Sequence, residues 1–163
     1  MKISDKLAVE INEQIGHEFY SAYLYLSMAA WCDSANLEGS GHYFRLQAKE
    51  EAEHAMKFFN HALERGANIV FKSIPEPKEN FSSLVDVFTK TLAHEEFITR
   101  RINTLMEIAQ KENDYLAISF LTWFVNEQHE EEKSAERTLN RLKMIGSSGS
   151  GLIMLDHQLG KRE

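Results

Sequence analysis

Two prolines and one cysteine are all that 163 residues contain of the residue types that most restrict a chain. Both prolines, Pro75 and Pro77, stand together near the middle, so long stretches on either side carry no helix breaker. The single thiol, Cys32, has no partner for an internal disulfide, which also excludes a multi-cysteine metal site within one chain. Set in an apolar run, it reads as a small buried hydrophobe in a reducing compartment. No apolar run is long enough to cross a bilayer; the least polar stretch, Ala22 to Cys32, is too short, and the start Met-Lys-Ile-Ser-Asp-Lys lacks the apolar segment of a signal peptide. The expectation is a soluble, cytoplasmic protein with no membrane partner. A phosphate-cradling glycine loop is absent too. A net charge of −7 and a pI near 5.5 argue against nucleic acid and leave cations as the favoured charged ligands.

What the chain does have is helical periodicity. Hydrophobic residues make up 43% and charged residues 26%, ordinary globular usage for one domain over residues 1–163. Apolar residues recur every three or four positions from Ile3 through Leu7, Ile11, Ile15, Ala22, Tyr25 and Ala29, with Ser4 or Asp5 as cap. This predicts a first helix ending about Cys32, roughly 40 Å long. Asn36 to Gly41 reads as a short connection, and a second helix from about Ser40 carries Phe44, Ala48, Ala55, Phe58 and Ala62 up to Gly66, its C-terminal cap. Residues 67–80 break the pattern and are long enough to travel the length of a bundle. A third helix follows through Leu84, Phe88, Leu92, Ile102, Leu105 and Ala109. An Asn113-Asp114 turn that can cap the next helix precedes a fourth, from about Tyr115 through Phe120, Phe124, Ala135, Leu139 and Leu142 to Gly146. Beyond a Ser/Gly hinge at Ser147 to Gly151, Leu152, Ile153, Leu155 and Leu159 mark a short helix over about 151–160 that is stable only when docked. The fold class is therefore all-α: a four-helix bundle over about 4–146, up-down-down-up, with one long crossover and a short fifth helix. Gly16 is the one glycine inside a predicted helix and reads as a point of close backbone packing.

Each of the four apolar stripes is interrupted near its middle. Glu18 breaks the first, Gln47, Glu51 and His54 the second, Glu95 the third, Gln128 and Glu131 the fourth. Four carboxylates, an imidazole and amides then face one core layer, where unpaired charge costs several kcal/mol and mutual repulsion raises pKa values. No lysine or arginine lies on these stripes, whereas two divalent cations would offset four negative charges. Oxygen-rich ligation with one imidazole suits iron or manganese better than a structural zinc, with iron leading. Glu51 and His54, at i and i+3, share a helix face. The opposing expectation is a structural bundle whose glutamates face water.

The segments NEQIGHEFYSAYLYLSMAAWC, AKEEAEHAMKFF, LAHEEFITRRIN and FLTWFVNEQHEEEK resemble the helix cores of the non-haem bacterial and archaeal ferritins, over essentially the whole chain. The second helix keeps Glu51-x-x-His54; the fourth departs from the general di-iron pattern with Gln128-x-x-Glu131. The resemblance implies a ferroxidase and iron store: one iron held by Glu18, Glu51 and His54, a second by Glu51, Glu95 and Glu131, with Glu51 bridging and Gln128 beside the pair. It implies a third iron site at Glu50, Glu127 and Glu130, which lie about 100° from the core ligands. Tyr25 reads either as an electron or hydrogen-bond donor to the centre or as a packed core residue, and Trp123 as packing. Haem is not expected, since Ala52 stands where a haem-ligating methionine would be. Further implications are dioxygen or hydrogen peroxide as oxidant and a homo-oligomeric shell of twenty-four subunits. The alternative is a di-iron carboxylate oxidase or peroxidase that acts on a small substrate and stores no mineral.

Overall fold

The computed structural model describes residues 2–77 and 80–163; residues 78 and 79 of the expected crossover lie outside the described residues. Among the described residues there are five helices and no strand: α1 Asp5–Ser34, α2 Glu38–Glu64, α3 Leu84–Lys111, α4 Tyr115–Ile145 and α5 Gly149–Leu159. None is long and apolar enough to cross a membrane. Local capping fixes the starts of α1, α3 and α4. Ser4 Oγ accepts from Leu7 N–H, Ser83 Oγ from Asp86 N–H and Asp114 Oδ1 from Ala117 N–H, each satisfying a first-turn donor. Asn113, at φ 53°, supplies the left-handed residue of the α3–α4 turn, as Gly66 does after α2.

Cross-helix contacts establish the directions. Going up α1, Glu10, Ser21 and Tyr25 meet Arg101, His94 and Glu95, so α3 runs antiparallel to α1. Going up α2, Gln47, Phe58 and Arg65 meet Glu131, Phe124 and Asp114, so α4 opposes α2. With a short turn between α1 and α2, the order is the expected up-down-down-up. The crossover is held along α1 by Asn12, whose Nδ2 donates to Asn68 O and whose Oδ1 accepts from Val70 N–H, both at 3.0 Å.

Three expectations are corrected in detail. Helix α2 begins at Glu38 rather than Ser40, so Gly39 and Gly41 lie inside it, and α1 extends to Ser34. The reason is a cap the sequence pattern does not reveal: the Asp156 carboxylate of α5 accepts from the N–H groups of Gly39 (3.0 Å) and Ser40 (2.7 Å) and from Ser40 Oγ. The hinge before α5 is shorter than expected, because Ser148 Oγ caps a helix that already includes Gly149 and Gly151. Gly16 has nothing within 4 Å of where a Cβ would sit, so close packing does not explain it. It lines a hollow of about 400 Å³ between α1, α3 and the crossover.

The core has two apolar halves. One gathers Ile11, Ile15, Phe58, Ile98, Ile102, Leu121 and Phe124. The other gathers Tyr25, Met28, Cys32, Phe44, Phe88, Leu139 and Leu155, so α5 docks on its own bundle through Leu155. Between the halves lies a polar layer.

Candidate metal centre

That layer contains every interruption read from the stripes. Gln14, Glu18, Gln47, Glu51, His54, Glu95, Gln128 and Glu131 are all buried. Helical spacing carries them inward: Glu18 lies one turn past Gln14, Glu51 and His54 one turn apart on α2, and Gln128 and Glu131 likewise on α4. Ligand atoms of Glu18, Glu51 and His54 lie within 4.8 Å of one another. His54 Nδ1 is 3.5 Å from Glu51 Oε2, and the ring stands edge-on to Phe124 and Trp123.

The other side of the layer is built by hydrogen bonds to carboxylates. Tyr25 Oη and Gln128 Nε2 both donate to Glu95, the latter at 3.0 Å. Gln47 Nε2 donates to Glu131 Oε2 at 2.9 Å, and Gln14 Nε2 to Glu18 Oε1 at 2.8 Å. The second oxygen, Glu18 Oε2, is buried with no hydrogen-bond partner. An orphaned carboxylate oxygen beside a second carboxylate and an imidazole is what a cation would satisfy.

The electrostatics agree. Burial pushes Glu18 well above the usual carboxylate range, and the charge of Glu51 adds to it. Burial and Glu95 do the same to Glu51. Burial, then the charge of Glu131, raises Glu95 to about 7, and burial raises Glu131. Burial and Glu95 also push the Tyr25 phenol upward. Without a cation, burial and mutual repulsion favour the protonated form of these carboxyls, and a cation would exchange for those protons. Hard oxygen donors with one imidazole fit iron.

Of the residues read as a third cluster, Glu50, Glu127 and Glu130, none is buried, and each takes a different partner. Glu127 Oε1 is 3.9 Å from His54 Nε2, Glu130 pairs with Lys133, and Glu50 Oε2 pairs with Arg162 at 2.6 Å. Arg162 brings a cation to this flank. It comes from the chain's end, beyond any periodic segment, and no sequence signal marked it. Trp123 is 40% exposed and stands edge-on to Phe124 and His54, with Lys57 Nζ 3.3 Å over its ring.

Comparison with known proteins decides the family. A model of the ferritin-like domain matches residues 9–145. The bacterial non-heme ferritin of Staphylococcus aureus strain USA300 is 41% identical over 160 residues, 98% of this chain and 96% of that one. The chain belongs to the ferritin family. The bacterial non-heme ferritin of Campylobacter jejuni is also 41% identical, over 96% of this chain and 94% of its own. A structure described as an open-pore ferritin from Archaeoglobus fulgidus superposes with a TM-score of 0.98 at 40% identity, covering both chains fully. This ferritin's function is accordingly iron storage, the oxidase alternative is not favoured, and Glu18, Glu51 and His54 form a group that could hold a metal ion.

Proposed function

We propose that this ferritin oxidises Fe(II) at the buried layer and stores the ferric product as mineral inside a cytoplasmic shell of twenty-four identical subunits. The observation that carries the reading is the partnerless Glu18 Oε2 beside Glu51 and His54, in a layer where four carboxylates share one low-dielectric space. One Fe(II) binds Glu18, Glu51 and His54; a second binds Glu51, Glu95 and Glu131, with Glu51 bridging. Gln128 orients Glu95 from the side, and Tyr25 does so from the apolar half of the core.

The chemistry balances without an organic substrate. Two Fe(II) ions each give one electron; dioxygen with two protons becomes hydrogen peroxide, or hydrogen peroxide with two protons becomes two waters. Protons still held by the raised carboxyls are displaced as Fe(II) enters, so cation binding favours the anionic form of the ligands. Anionic oxygen donors favour Fe(III) over Fe(II), which drives the oxidation. With one imidazole instead of two, the second position is the weaker, as suits iron in transit toward Glu50, Glu127 and Glu130. Apolar side chains left exposed on this chain, Phe71 on the crossover and Met144, Ile153 and Met154 around α5, support burial between subunits.

The test is the initial rate of Fe(II) oxidation in air. Glu51→Ala removes a ligand shared by both irons and is expected to lower the rate at least about tenfold. Glu50→Ala, on the flank, is expected to change it far less. Equal rates for the two variants would refute the assignment.

A further inference from the structure

We propose that Arg162 is an internal cation that occupies the flank of the metal centre at Glu50 and leaves that carboxylate when a metal ion binds there. The inference deepens the reading above and rests on it. After α5, Gly160 passes close to Gly39, with its would-be Cβ 3.0 Å from Gly39 Cα, and the tail turns back over α2. There it is anchored along one helix face. The Arg162 carbonyl oxygen is 2.9 Å from His42 Nε2, and the guanidinium lies 4.9 Å over the Tyr43 ring. Its Nη2 donates to Glu50 Oε2 at 2.6 Å and its Nη1 to Gln47 Oε1.

Gln47 links this tail to the buried layer. Its amide is 1% exposed and can offer its NH₂ group to Glu131 only while its oxygen faces away. A donor fixed at that oxygen holds the amide in this sense, and Arg162 is the donor. The chain Arg162 to Gln47 to Glu131 therefore spans from the flank to a proposed iron ligand. Glu127 faces His54, and Lys133 faces Glu130.

A guanidinium 2.6 Å from a carboxylate oxygen competes there with a divalent ion by charge and by space. A metal ion that takes both oxygens of Glu50 has to displace the arginine, whose side chain is 30% exposed and can swing into solvent. A partly exposed pair of this kind biases a competing equilibrium by about fivefold.

The experiment titrates Co(II) alone into assembled, metal-free protein by equilibrium dialysis, resolving tight and weak classes. Absence of a tight class in the unaltered protein would overturn the buried-site reading and this inference with it. Given a tight class, Arg162→Ala is expected to strengthen the weak class about fivefold. Adding Glu50→Gln to that variant is expected to cancel the gain, and Arg162→Lys, which keeps a cation, to stay within about twofold of the unaltered protein. Should Arg162→Ala fail to assemble, the neutral but still polar Arg162→Gln is read the same way. A weak class unchanged by loss of the arginine overturns the inference while leaving the buried site intact.

Discussion

Replacing Glu95 with glutamine should stabilise the metal-free protein at alkaline pH. Burial and the charge of Glu131 raise Glu95 from its ordinary 4.5 to about 7 in the folded state. The native carboxyl thus holds its proton more tightly than the unfolded one, so stability falls as pH rises from about 4.5 to about 7 and stays lowered above that. Between pH 5 and pH 8 the loss from this group is roughly 2 to 3 kcal/mol, since each tenfold difference in proton affinity is worth about 1.4 kcal/mol. Glu18 and Glu51, also raised, add to it in the same direction. Glutamine is neutral throughout and can still accept from the Tyr25 hydroxyl, so Glu95→Gln should gain about 2 kcal/mol over the unaltered protein on going from pH 5 to pH 8. Denaturant unfolding of metal-free samples at the two pH values measures this. With Co(II) added the sign should reverse, because the ligand is gone. A variant no better at pH 8 than at pH 5, relative to the unaltered protein, would refute the claim that repelling buried carboxylates strain the empty site.

Two further outcomes concern the junction of α2 and α5. Asp156→Ala removes the side-chain acceptor bonded to the first N–H groups of α2 and should lower stability by about 1 to 2 kcal/mol by thermal unfolding, since Leu37 offers no side-chain cap. Gly39→Ala would place a Cβ 1.9 Å from the Asp156 carbonyl oxygen, and it should cost about 1 to 3 kcal/mol despite alanine's better helix propensity. A stability gain for Gly39→Ala would mean that α5 does not dock as described.

How much of this could be read from the chain follows from range. The four long helices and the caps at Ser4 and Asp114 are local, written in spacings of three and four and in residues adjacent to the turns they satisfy. The polar layer was legible because carboxylates interrupting four apolar stripes have no cheap place in a core. Tyr25 was ambiguous because a buried phenol looks the same with or without a carboxylate partner; its contact with Glu95 lies 70 positions away. Asp156 and Arg162 were invisible for the same reason. One caps α2 from beyond a hinge, and the other counters Glu50 across 112 positions, from a tail without periodicity. Gly39 and Gly41 read as loop residues, yet their helix start depends on Asp156. Glutamine roles were half legible: Gln128 by its place on the stripe, Gln14 only through its bond to Glu18.

In the proposed function the buried carboxylate layer feeds a mineral store. The most direct test is the iron-to-protein ratio in the assembled peak after excess Fe(II) is added in air to metal-free protein and the products are separated by size. Iron well above two per chain, travelling in a large particle and lost in Glu51→Ala, is the predicted result. A ratio that stops at two or fewer per chain would contradict storage and leave a di-iron protein without a usable cavity.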